Sequence, residues 1–405
     1  MSEWKEYKLG ELVKTNTMSI DKNYPYSNIE YLDTGSITCN HIESLQNFEL
    51  VKAPSRAKRL VQEDDIIYSS VRPNKLHYGY IVNPQENLVV STGFVTITCN
   101  KTLINPKFLY YFLTQSHITE YLHSVAEAST SAYPSLKPSD IESLDIEIPP
   151  LSEQNCITSI LSSLDDKIDL LHRENKTLEA MAETLFRKWF VEEAKEDWEE
   201  GKLGDYVNET IGGEWGKENP EGDFTKVVQC IRGTDIADLN IGLANKAPIR
   251  FVKESKFEKI EPRNGDIIME ISGGTENQST GRVVCINEDV KTFFQYPIVF
   301  SNFCRLLRVD EKYSYFLYCY LKYLYDQDEY FNLENGSSGI KNLDYKALLY
   351  DLTYPMPKDK RIIFKFNDNV SLYFKRINKN KKQIQTLTQT RDSLLPKLMS
   401  GEIKV

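Results

Sequence analysis

The sequence predicts an α+β protein in which two similar globular domains are separated by two long antiparallel helices, which form a coiled coil with pseudo-two-fold symmetry. Three observations predict this fold. Short segments recur in the same order in both halves, each half reads as strands and then as helix, and two long segments carry one shared heptad pattern. A length of 405 residues suits two or three domains. With 27% charged and 11% aromatic residues, the composition is that of a folded chain.

Four pairs of similar segments indicate an internal duplication. They share a Trp-x-x-x-Lys-Leu-Gly opening, an Asp-Ile-Ile run, a glycine followed by apolar residues, and a Phe-Leu-Tyr run. The paired segments begin at Trp4 and Trp198, Glu63 and Asn264, Gly79 and Gly281, and Phe108 and Phe316. The offset between copies grows from 194 to 208 residues, so the second copy carries small insertions.

Each copy is predicted to contain a globular domain followed by a helical segment. The globular part reads as short strands, a helix such as 106–122, a Ser/Thr/Gly-rich loop, and a strand that ends in proline. After the prolines the apolar pattern becomes helical. The expected domains are 1–150 (first globular domain), 151–196 (central helical segment), 197–357 (second globular domain) and 358–405 (C-terminal helical segment).

The two helical segments carry the most specific pattern in the sequence. From Ile157 to Trp189 the core positions recur in alternating steps of four and three, which is a heptad seam. The same pattern returns 209 residues later, from Phe366 to Leu398. At 1.5 Å per residue, each seam is expected to extend over roughly 50 Å.

Polar residues in the two seams predict how the helices pair. Asn175 and Asn380 interrupt the seams, and because an unpaired polar group in a seam is costly, they are expected to face each other across an antiparallel pair. Facing residue numbers then sum to 555. In this register Arg391 lies beside Asp165 or Asp166, either of which neutralises it.

The distribution of charge supports this pairing. The C-terminal segment holds 12 basic and 4 acidic residues, whereas the central segment holds 6 basic and 10 acidic residues. The net charge of the whole chain is −10, which disfavours sequence-independent coating of DNA by many phosphate contacts. It leaves room for a DNA reader with local basic surfaces.

Both predicted globular domains carry basic residues at matching places, which indicates contact with phosphates. Arg72 and Arg282 stand near turn residues and are the best candidates for guanine, because a guanidinium group can bond O6 and N7 together. The Ser/Thr/Gly-rich loops are candidates for a close approach to DNA. The candidate DNA-binding residues of the first domain are Arg56, Lys58, Arg59, Arg72, Lys75, His77, Ser131 and Tyr133. Those of the second domain are Lys246, Arg250, Lys253, Arg282, Ser337, Ser338 and Lys341.

The sequence contains no recognisable catalytic or metal-binding motif. It lacks a GxxxxGK[ST] phosphate loop and HExxH, GxSxG and GxGxxG motifs, and its seven cysteines and five histidines show no metal-ligand spacing. We therefore expect no active site, metal or cofactor in this chain. Neither an apolar run of 18 residues nor an apolar N-terminal core is present, so we expect no membrane span, no secretory signal and a cytoplasmic location.

Together these motifs resemble the specificity (S) subunits of type I restriction–modification systems. The resemblance is carried by the Trp-x-x-x-Lys-Leu-Gly openings, by Ser91-Thr-Gly-Phe-Val95, and by Ile148-Pro-Pro-Leu-Ser-Glu-Gln154 before the first long helix. The ends of both helical segments, 177–190 and 390–403, also match. The second proline segment departs from the pattern, because 354–360 lacks Pro-Pro-Leu-x-x-Gln.

The resemblance implies that the globular domains are target recognition domains, each reading one half of a split sequence in double-stranded DNA. It implies that the coiled coil spaces these domains and docks two modification subunits, which bring S-adenosylmethionine and adenine methylation. Restriction subunits, with ATP and Mg, would join the full complex, and no membrane is involved. Two alternatives stay open: a protein–protein scaffold without DNA readout, and an enzyme with an unrecognised nuclease or methylase site.

Overall fold

The computed structural model describes residues 4–128, 135–194, 198–244, 246–275, 278–336 and 341–405. They form an α+β fold that divides into two compact units. Unit 1 comprises Met1–Asp166 and Gln389–Val405, and unit 2 comprises Lys167–Thr388. Each unit therefore includes part of both long helices, whereas the sequence boundaries set the helices apart as separate segments.

The strands are short, and they alternate with turns and loops. In chain order they are β1 Lys5–Lys8, β2 Val13–Thr15, β3 Asn28–Leu32, β4 Ile37–Thr38, β5 His41–Ile42, β6 Gln46–Glu49, β7 Ala57–Leu60, β8 Ile66–Ser69, β9 Tyr78–Tyr80, β10 Leu88–Ser91, β11 Phe94–Cys99, β12 Asp145–Ile148, β13 Glu199–Gly201, β14 Glu209–Gly212, β15 Phe224–Ile231, β16 Ile249–Lys253, β17 Ile267–Glu270, β18 Ser272–Gly273, β19 Val283–Cys285, β20 Ile298–Phe300, β21 Cys304–Arg308, β22 Glu334–Asn335, β23 Lys341–Leu343 and β24 Tyr354–Met356.

The helices include two that are much longer than the rest. They are α1 Leu9–Leu12, α2 Pro106–Leu113, α3 Ser116–Glu127, α4 Pro138–Glu142, α5 Leu151–Arg187, α6 Asp235–Asn240, α7 Glu254–Ile260, α8 Glu288–Lys291, α9 Glu311–Asp326 and α10 Arg361–Met399. A π-helical turn, Lys188–Glu192, continues α5. Within the described ranges, no helix is both long and apolar enough to cross a lipid bilayer.

The same strand order occurs in both units. In unit 1 an antiparallel sheet has the order β2-β11-β8-β9, and in unit 2 the corresponding sheet has the order β14-β21-β17-β19. A second sheet contains one parallel pair, β3 with β10 in unit 1 and β15 with β20 in unit 2. The first and last strands of each unit pair as an antiparallel ribbon, β1 with β12 and β13 with β24. The duplication seen in the sequence is thus a duplication of topology.

The repeated Asp-Ile-Ile segment starts the equivalent strands β8 and β17 in the same way. Asp65 and Asp266 are buried, and each carboxylate accepts a hydrogen bond from a backbone N–H three residues earlier, that of Gln62 at 3.0 Å and that of Arg263 at 2.7 Å. Burial raises the pKa of both carboxyl groups, while these backbone hydrogen bonds oppose the shift. The motif therefore has a structural role, which is to close the turn that leads into the strand.

One of the four sequence matches has the wrong register. The match of Gly79 with Gly281 requires an offset of 202 residues. In the strand ladders, however, Ile67 pairs with Gly79 and Ile268 pairs with Val284, so Gly79 corresponds to Val284 at an offset of 205. The offset differs because the loop before β19 is longer than the loop before β9. The apolar pattern of the strands does not indicate the length of the loop between them.

The single helix predicted over 106–122 is also wrong, because the chain turns between α2 and α3. The start is as expected: the Asn105 side chain accepts hydrogen bonds from the backbone of Lys107 and Phe108, and proline occupies the first turn. At Gln115 the backbone is extended, with φ −63° and ψ 140°, and α3 starts anew. Both helices bury apolar residues in the core of unit 1, so the apolar pattern continues across the corner.

In unit 2 the seam residues of α5 and α10 form an antiparallel pair. One apolar cluster contains Ile168, Leu171, Ile384 and Leu387. The residue numbers of Ile168 and Leu387, and those of Leu171 and Ile384, sum to the predicted 555. In the next layer the buried Asn380 Nδ2 donates a hydrogen bond to the buried Asn175 Oδ1 at 2.9 Å. The structure therefore brings the two seam asparagines together.

In unit 1 the other ends of the same two helices also pair. Ile157, Leu161 and Leu398 are buried in the core of unit 1. The Arg391 Nη1 donates a hydrogen bond to the Asp165 Oδ1 at 2.9 Å. Burial opposes the charged form of Arg391, but its hydrogen bonds to Asp165 and the neighbouring Asp392 raise its pKa.

The heptad pattern fails at the end of α5. It places Leu185 and Trp189 in the seam, but the fully buried residues there are Phe186 and Phe190. Both phenylalanine rings pack against Phe316 of α9, with ring centroids 6.3 and 4.8 Å apart. From Ala182 onward the buried residues recur every four positions, because the helix now packs on the core of unit 2.

The paired asparagines give a testable prediction about stability. Asn175→Leu leaves the Asn380 amide buried without its partner, and we expect it to lower the free energy of unfolding by about 1–3 kcal/mol. The double variant N175L/N380L removes both amides and is expected to recover most of this loss. A double-mutant cycle from urea unfolding of the full chain measures the coupling.

The exposed neighbour Lys176 provides the control, because Lys176→Leu changes the same helix outside the seam. We expect a change within about 0.5 kcal/mol for it. Additive effects of the two asparagine substitutions would contradict the pairing.

Candidate nucleic-acid interface

In unit 1, the three loops that follow β3, β8 and β10 come together with the loop that precedes β7 and carries Arg56. The backbone N–H of Thr92 donates to the carbonyl oxygen of Arg56 at 2.8 Å, and the N–H of Ser70 donates to that of Gly93 at 2.8 Å. A Cβ atom on Gly93 would lie 2.8 Å from the Thr34 side chain, so the loop after β3 is in direct contact as well. These loops place Arg56 and the segment 70–77 at one edge of the unit.

Arg72 lies exposed at this edge, in a strained backbone conformation. Its φ is +49° and its ψ is 65°, a left-handed conformation that side chains other than glycine rarely adopt. The turn is held by hydrogen bonds from the N–H of Lys75 to the carbonyl of Arg72 and from that of Leu76 to the carbonyl of Pro73, both 2.9 Å. A fixed backbone therefore presents the Arg72 and Lys75 side chains to solvent.

His77 faces the interior of the same edge. Its Nδ1 lies 2.6 Å from the carbonyl oxygen of Ile37 and 3.4 Å from the Thr38 hydroxyl. Because a carbonyl accepts but cannot donate, Nδ1 carries a proton and donates it to this carbonyl oxygen. His77 is half-buried, so its access to a ligand is narrower than that of Arg72.

Lys58 and Arg59 lie on strand β7, beside the loop that carries Arg56. Lys58 is exposed, while Arg59 is half-buried, and burial lowers the pKa of Arg59. Arg59 pairs in the β7–β10 ladder with Val90, which holds it away from the edge formed by the loops. Of the predicted basic residues of unit 1, the structure thus brings Arg56, Arg72 and Lys75 to one exposed edge.

The equivalent edge of unit 2 surrounds a cavity of about 580 Å³. It is lined by the residues that follow β15 and β20, by β18 with the turn after it, and by Arg282. Two aromatic rings, Trp215 and Phe303, also line it, and they are 36% and 54% exposed. The sequence predicted Arg282 but neither aromatic residue, because no spacing pattern distinguishes Trp215 and Phe303 from core residues.

Arg282 is held in a buried ion pair. Its Nε donates to the Glu270 Oε2 at 2.9 Å and its Nη2 to the Glu270 Oε1 at 2.7 Å, which is a bidentate contact. The Arg282 side chain is 19% exposed and that of Glu270 only 1%. The hydrogen bonds to Glu270 raise the pKa of Arg282. Gly233 and Gly273 leave room for this carboxylate, since a Cβ on either would lie within 2.7 Å of its Oε1.

Most other predicted basic residues of unit 2 also have acidic partners. Lys246 pairs with Asp238 at 2.9 Å and Lys253 with Asp223 at 3.2 Å. Lys253 lies at the end of the β15–β16 ladder that is distant from the cavity, opposite Phe224. Lys246 lies nearer, because its carbonyl oxygen accepts a hydrogen bond from Arg232, which lines the cavity.

Arg250 joins the cavity through an aromatic ring. Its guanidinium carbon lies 4.2 Å from the centre of the Trp215 ring, and its Nη1 pairs with Glu218 at 2.9 Å. The contact stacks a cation on the ring, which stabilises the position of Trp215. Arg250 therefore supports the wall of the cavity from behind.

Residues that adjoin the Ser/Thr/Gly-rich loops are anchored beside these edges. Lys341 pairs with Gly273 in the β18–β23 ladder and forms an ion pair with Glu334 at 2.8 Å. In unit 1, Ser135 bridges to Val71 in the corresponding place. The predicted residues Ser131, Tyr133, Ser337 and Ser338 lie outside the described residues.

The hydrogen-bond ladders define which residues of the two edges correspond. Leu32 pairs with Val90 and Ile231 with Phe300, so Asp33 corresponds to Arg232 and Gly93 corresponds to Phe303. The N–H of Ser69 donates to the carbonyl of His77, and that of Glu270 donates to the carbonyl of Arg282, both at 2.9 Å. His77 and Arg282 are therefore equivalent. By the same count, Arg72 corresponds to Gly273.

Two basic residues of the C-terminal helix are engaged within unit 2, away from the cavity. In unit 2, Lys381 is buried against Gly242, and burial lowers its pKa to about 8. The ammonium of Lys382 donates to the carbonyl oxygen of Thr292 at 2.8 Å. In the part of the chain that the structure describes, no cluster of histidine, cysteine and carboxylate side chains could bind a metal ion.

Comparison with known families identifies the chain. Residues 1–180 and 195–387 match the family model described as "Type I restriction modification DNA specificity domain". The chain belongs to this family. The match covers both units and most of both long helices, in keeping with the duplicated fold.

Two relatives of the specificity-domain family match over all or nearly all of their length. The HindI specificity subunit of Haemophilus influenzae is 26% identical, with 100% of both chains covered. The MjaIX specificity subunit of Methanocaldococcus jannaschii is 25% identical, with 100% of this chain and 97% of the relative covered. A crystal structure of the type I restriction-modification S subunit from M. genitalium shares the fold, with a TM-score of 0.57 at 18% identity, covering 98% of this chain and 96% of that chain.

The different surroundings of the two predicted guanine readers of this specificity-domain protein give a prediction. Arg282→Ala leaves the Glu270 carboxylate buried without its partner, and we expect it to destabilise unit 2 by about 3–5 kcal/mol. Arg72→Ala removes an exposed side chain and is expected to change stability by no more than about 0.5 kcal/mol. Urea unfolding followed by tryptophan fluorescence suits the comparison, because Trp189, Trp198 and Trp215 belong to unit 2.

The double variant E270M/R282M is the matched control. It replaces the ion pair by apolar side chains, and its stability is expected to return close to that of the unchanged chain. Equal destabilisation by Arg72→Ala and Arg282→Ala would contradict the assignment of different roles to the two arginines.

Proposed function

We propose that this chain is the subunit that gives a type I restriction–modification complex its DNA sequence specificity, with unit 1 reading one half of a bipartite site and unit 2 reading a different half. One observation carries the proposal. The two units share a strand order, yet at equivalent positions of the loop edges they present different side chains.

Readout of DNA sequence depends on which groups reach the base edges, whereas contacts to the backbone set position. At the positions derived above, unit 1 has Arg72 where unit 2 has Gly273, and Gly93 where unit 2 has Phe303. One edge thus projects a cation and the other surrounds a cavity. Because the scaffold is common and the reading groups differ, the two halves of the site are expected to differ in sequence.

The charges of the two edges support weak DNA binding by the isolated chain. In unit 2, Lys246, Arg250 and Arg282 are already paired with carboxylates. Within the described part of unit 1, Arg56, Arg72 and Lys75 form no ion pair, so the cations that are free to neutralise phosphates belong to the edge of unit 1. With a net charge of −10, the chain is expected to bind DNA tightly only when partner subunits contribute further contacts.

The partners follow from the same proposal. Two modification subunits would dock on the long helices and bring S-adenosylmethionine and the methylation chemistry. Restriction subunits would bring ATP and Mg, so catalysis would belong to the partners and not to this chain. The paired helices would set the distance between the half-sites, and the assembly would act on DNA in the cytoplasm.

The experiment that tests this function is sequencing of methylated DNA from a host that carries this chain with its modification subunit. We expect a bipartite motif with two different halves. Arg72→Ala is expected to relax one position of one half, since a good bidentate contact contributes about 1–3 kcal/mol of discrimination. The other half is expected to stay unchanged.

Lys8→Ala is the matched control, because Lys8 is an exposed cation that pairs with Asp145 in the β1–β12 ribbon. This variant is expected to keep the full motif. A contiguous motif, or a change in both halves caused by Arg72→Ala, would contradict the proposal.

A further inference from the structure

We infer that Phe303 is the residue that determines specificity in unit 2, and that it recognises a thymine through the 5-methyl group in the major groove. This inference rests on the proposed function, since it names the base that the cavity of unit 2 reads. It starts from an aromatic side chain that the fold of the unit does not require.

The exposure of Phe303 is not explained by packing. Its carbonyl oxygen accepts hydrogen bonds from the backbone of Ile271 at 2.8 Å and of Ser272 at 3.2 Å, so its backbone is fixed beside the start of β18. The ring nevertheless remains 54% exposed, at the wall of the cavity. Because the exposed Trp215 ring lines the same cavity, the two rings together offer an apolar surface for contact.

Comparison with unit 1 shows that the loop forms without an aromatic residue. The equivalent position is Gly93, whose carbonyl oxygen accepts the corresponding hydrogen bond from Ser70 at 2.8 Å. In unit 1 the space beside this glycine is occupied by Thr34, whereas the counterpart of Thr34 in unit 2 is Gly233. Unit 2 thus combines an added ring with a glycine in place of the threonine, and the Glu270 carboxylate lies against that glycine.

The electrostatics of the cavity disfavour a phosphate as its occupant. Two arginines line it, but Arg232 pairs with Asp235 at 2.7 Å and Arg282 pairs with Glu270 at 2.7 Å. The formal charges of these two pairs cancel. A site for a phosphate would instead present cations that are free to neutralise it.

The groups left to meet a ligand are aromatic rings and neutral polar side chains. Trp215 is 36% exposed and faces the cavity, where Asn302 and Gln278 supply amides. Among the unmodified bases, only thymine shows an apolar group in the major groove, its 5-methyl group, and apolar side chains such as Phe are its usual contacts. The cavity therefore matches a thymine edge better than a guanine edge or the backbone.

The test uses the assembled complex of this chain with its modification subunits and duplexes that carry its methylated motif. The half-site that Arg72→Ala leaves unchanged is the half assigned to unit 2. Each thymine of that half is replaced in turn by deoxyuridine, which removes the methyl group and keeps base pairing. We expect one replacement to weaken binding about fourfold, the factor that corresponds to loss of about 0.8 kcal/mol for one buried methyl group.

Phe303→Ala is expected to abolish this difference between thymine and deoxyuridine in the half-site of unit 2. The variant is expected to respond to replacements in the other half-site as the unchanged chain does. Ile241→Ala is the matched control, because Ile241 is an apolar residue of unit 2 that is 51% exposed and lies next to Gly242, which contacts α10. It is expected to keep the full response to deoxyuridine.

Three results would overturn the inference: a unit 2 half-site without thymine, a half-site in which no replacement weakens binding, or a response that persists in Phe303→Ala. All three leave the proposed function intact, because a bipartite site is still bound. Failure of the complex to select any bipartite site would instead refute the proposed function itself.

Discussion

The register of α5 against α10 decides whether the cores of both units are complete. Each unit takes part of its core from both helices. Ile157 and Leu398 belong to the core of unit 1, and Phe186 and Phe366 belong to the core of unit 2. A slip of the helices would withdraw these residues from both cores at once. The buried hydrogen bond between Asn175 and Asn380 opposes such a slip, since any other register leaves two amides unpaired.

The sequence predicted the features that depend on regular spacing. The heptads that recur 209 residues apart predicted the pairing of α5 with α10, and the repeated Asp-Ile-Ile segments start equivalent strands. Features that tertiary packing determines could not be predicted from the sequence. Phe186 replaces Leu185 in the core because the helix meets a domain there, and the offset at Gly79 failed because a loop changed length. The partner of Arg282 was missed, because Glu270 ends an apolar strand and only the fold brings the two together.

One scaffold with two different edges explains how a duplicated chain gains two specificities. The strands and the buried aspartates are shared, and they fix the backbone of the loops. Single exchanges then change what each edge presents. Arg72 of unit 1 corresponds to a glycine in unit 2, and Gly93 of unit 1 corresponds to a phenylalanine in unit 2. Stability and readout are thereby separated, because the exchanged residues lie outside the cores.

A chimera of the two units tests whether each unit reads its own half of the site. The ribbons of both units show that Trp4–Pro149 corresponds to Trp198–Pro357, so the first segment can replace the second between the same two helices. We expect methylated DNA from a host with this chimera to show a bipartite motif with two copies of the half read by unit 1. A motif that keeps the original second half, or that contains a half absent from the motif of the unchanged chain, would contradict this expectation.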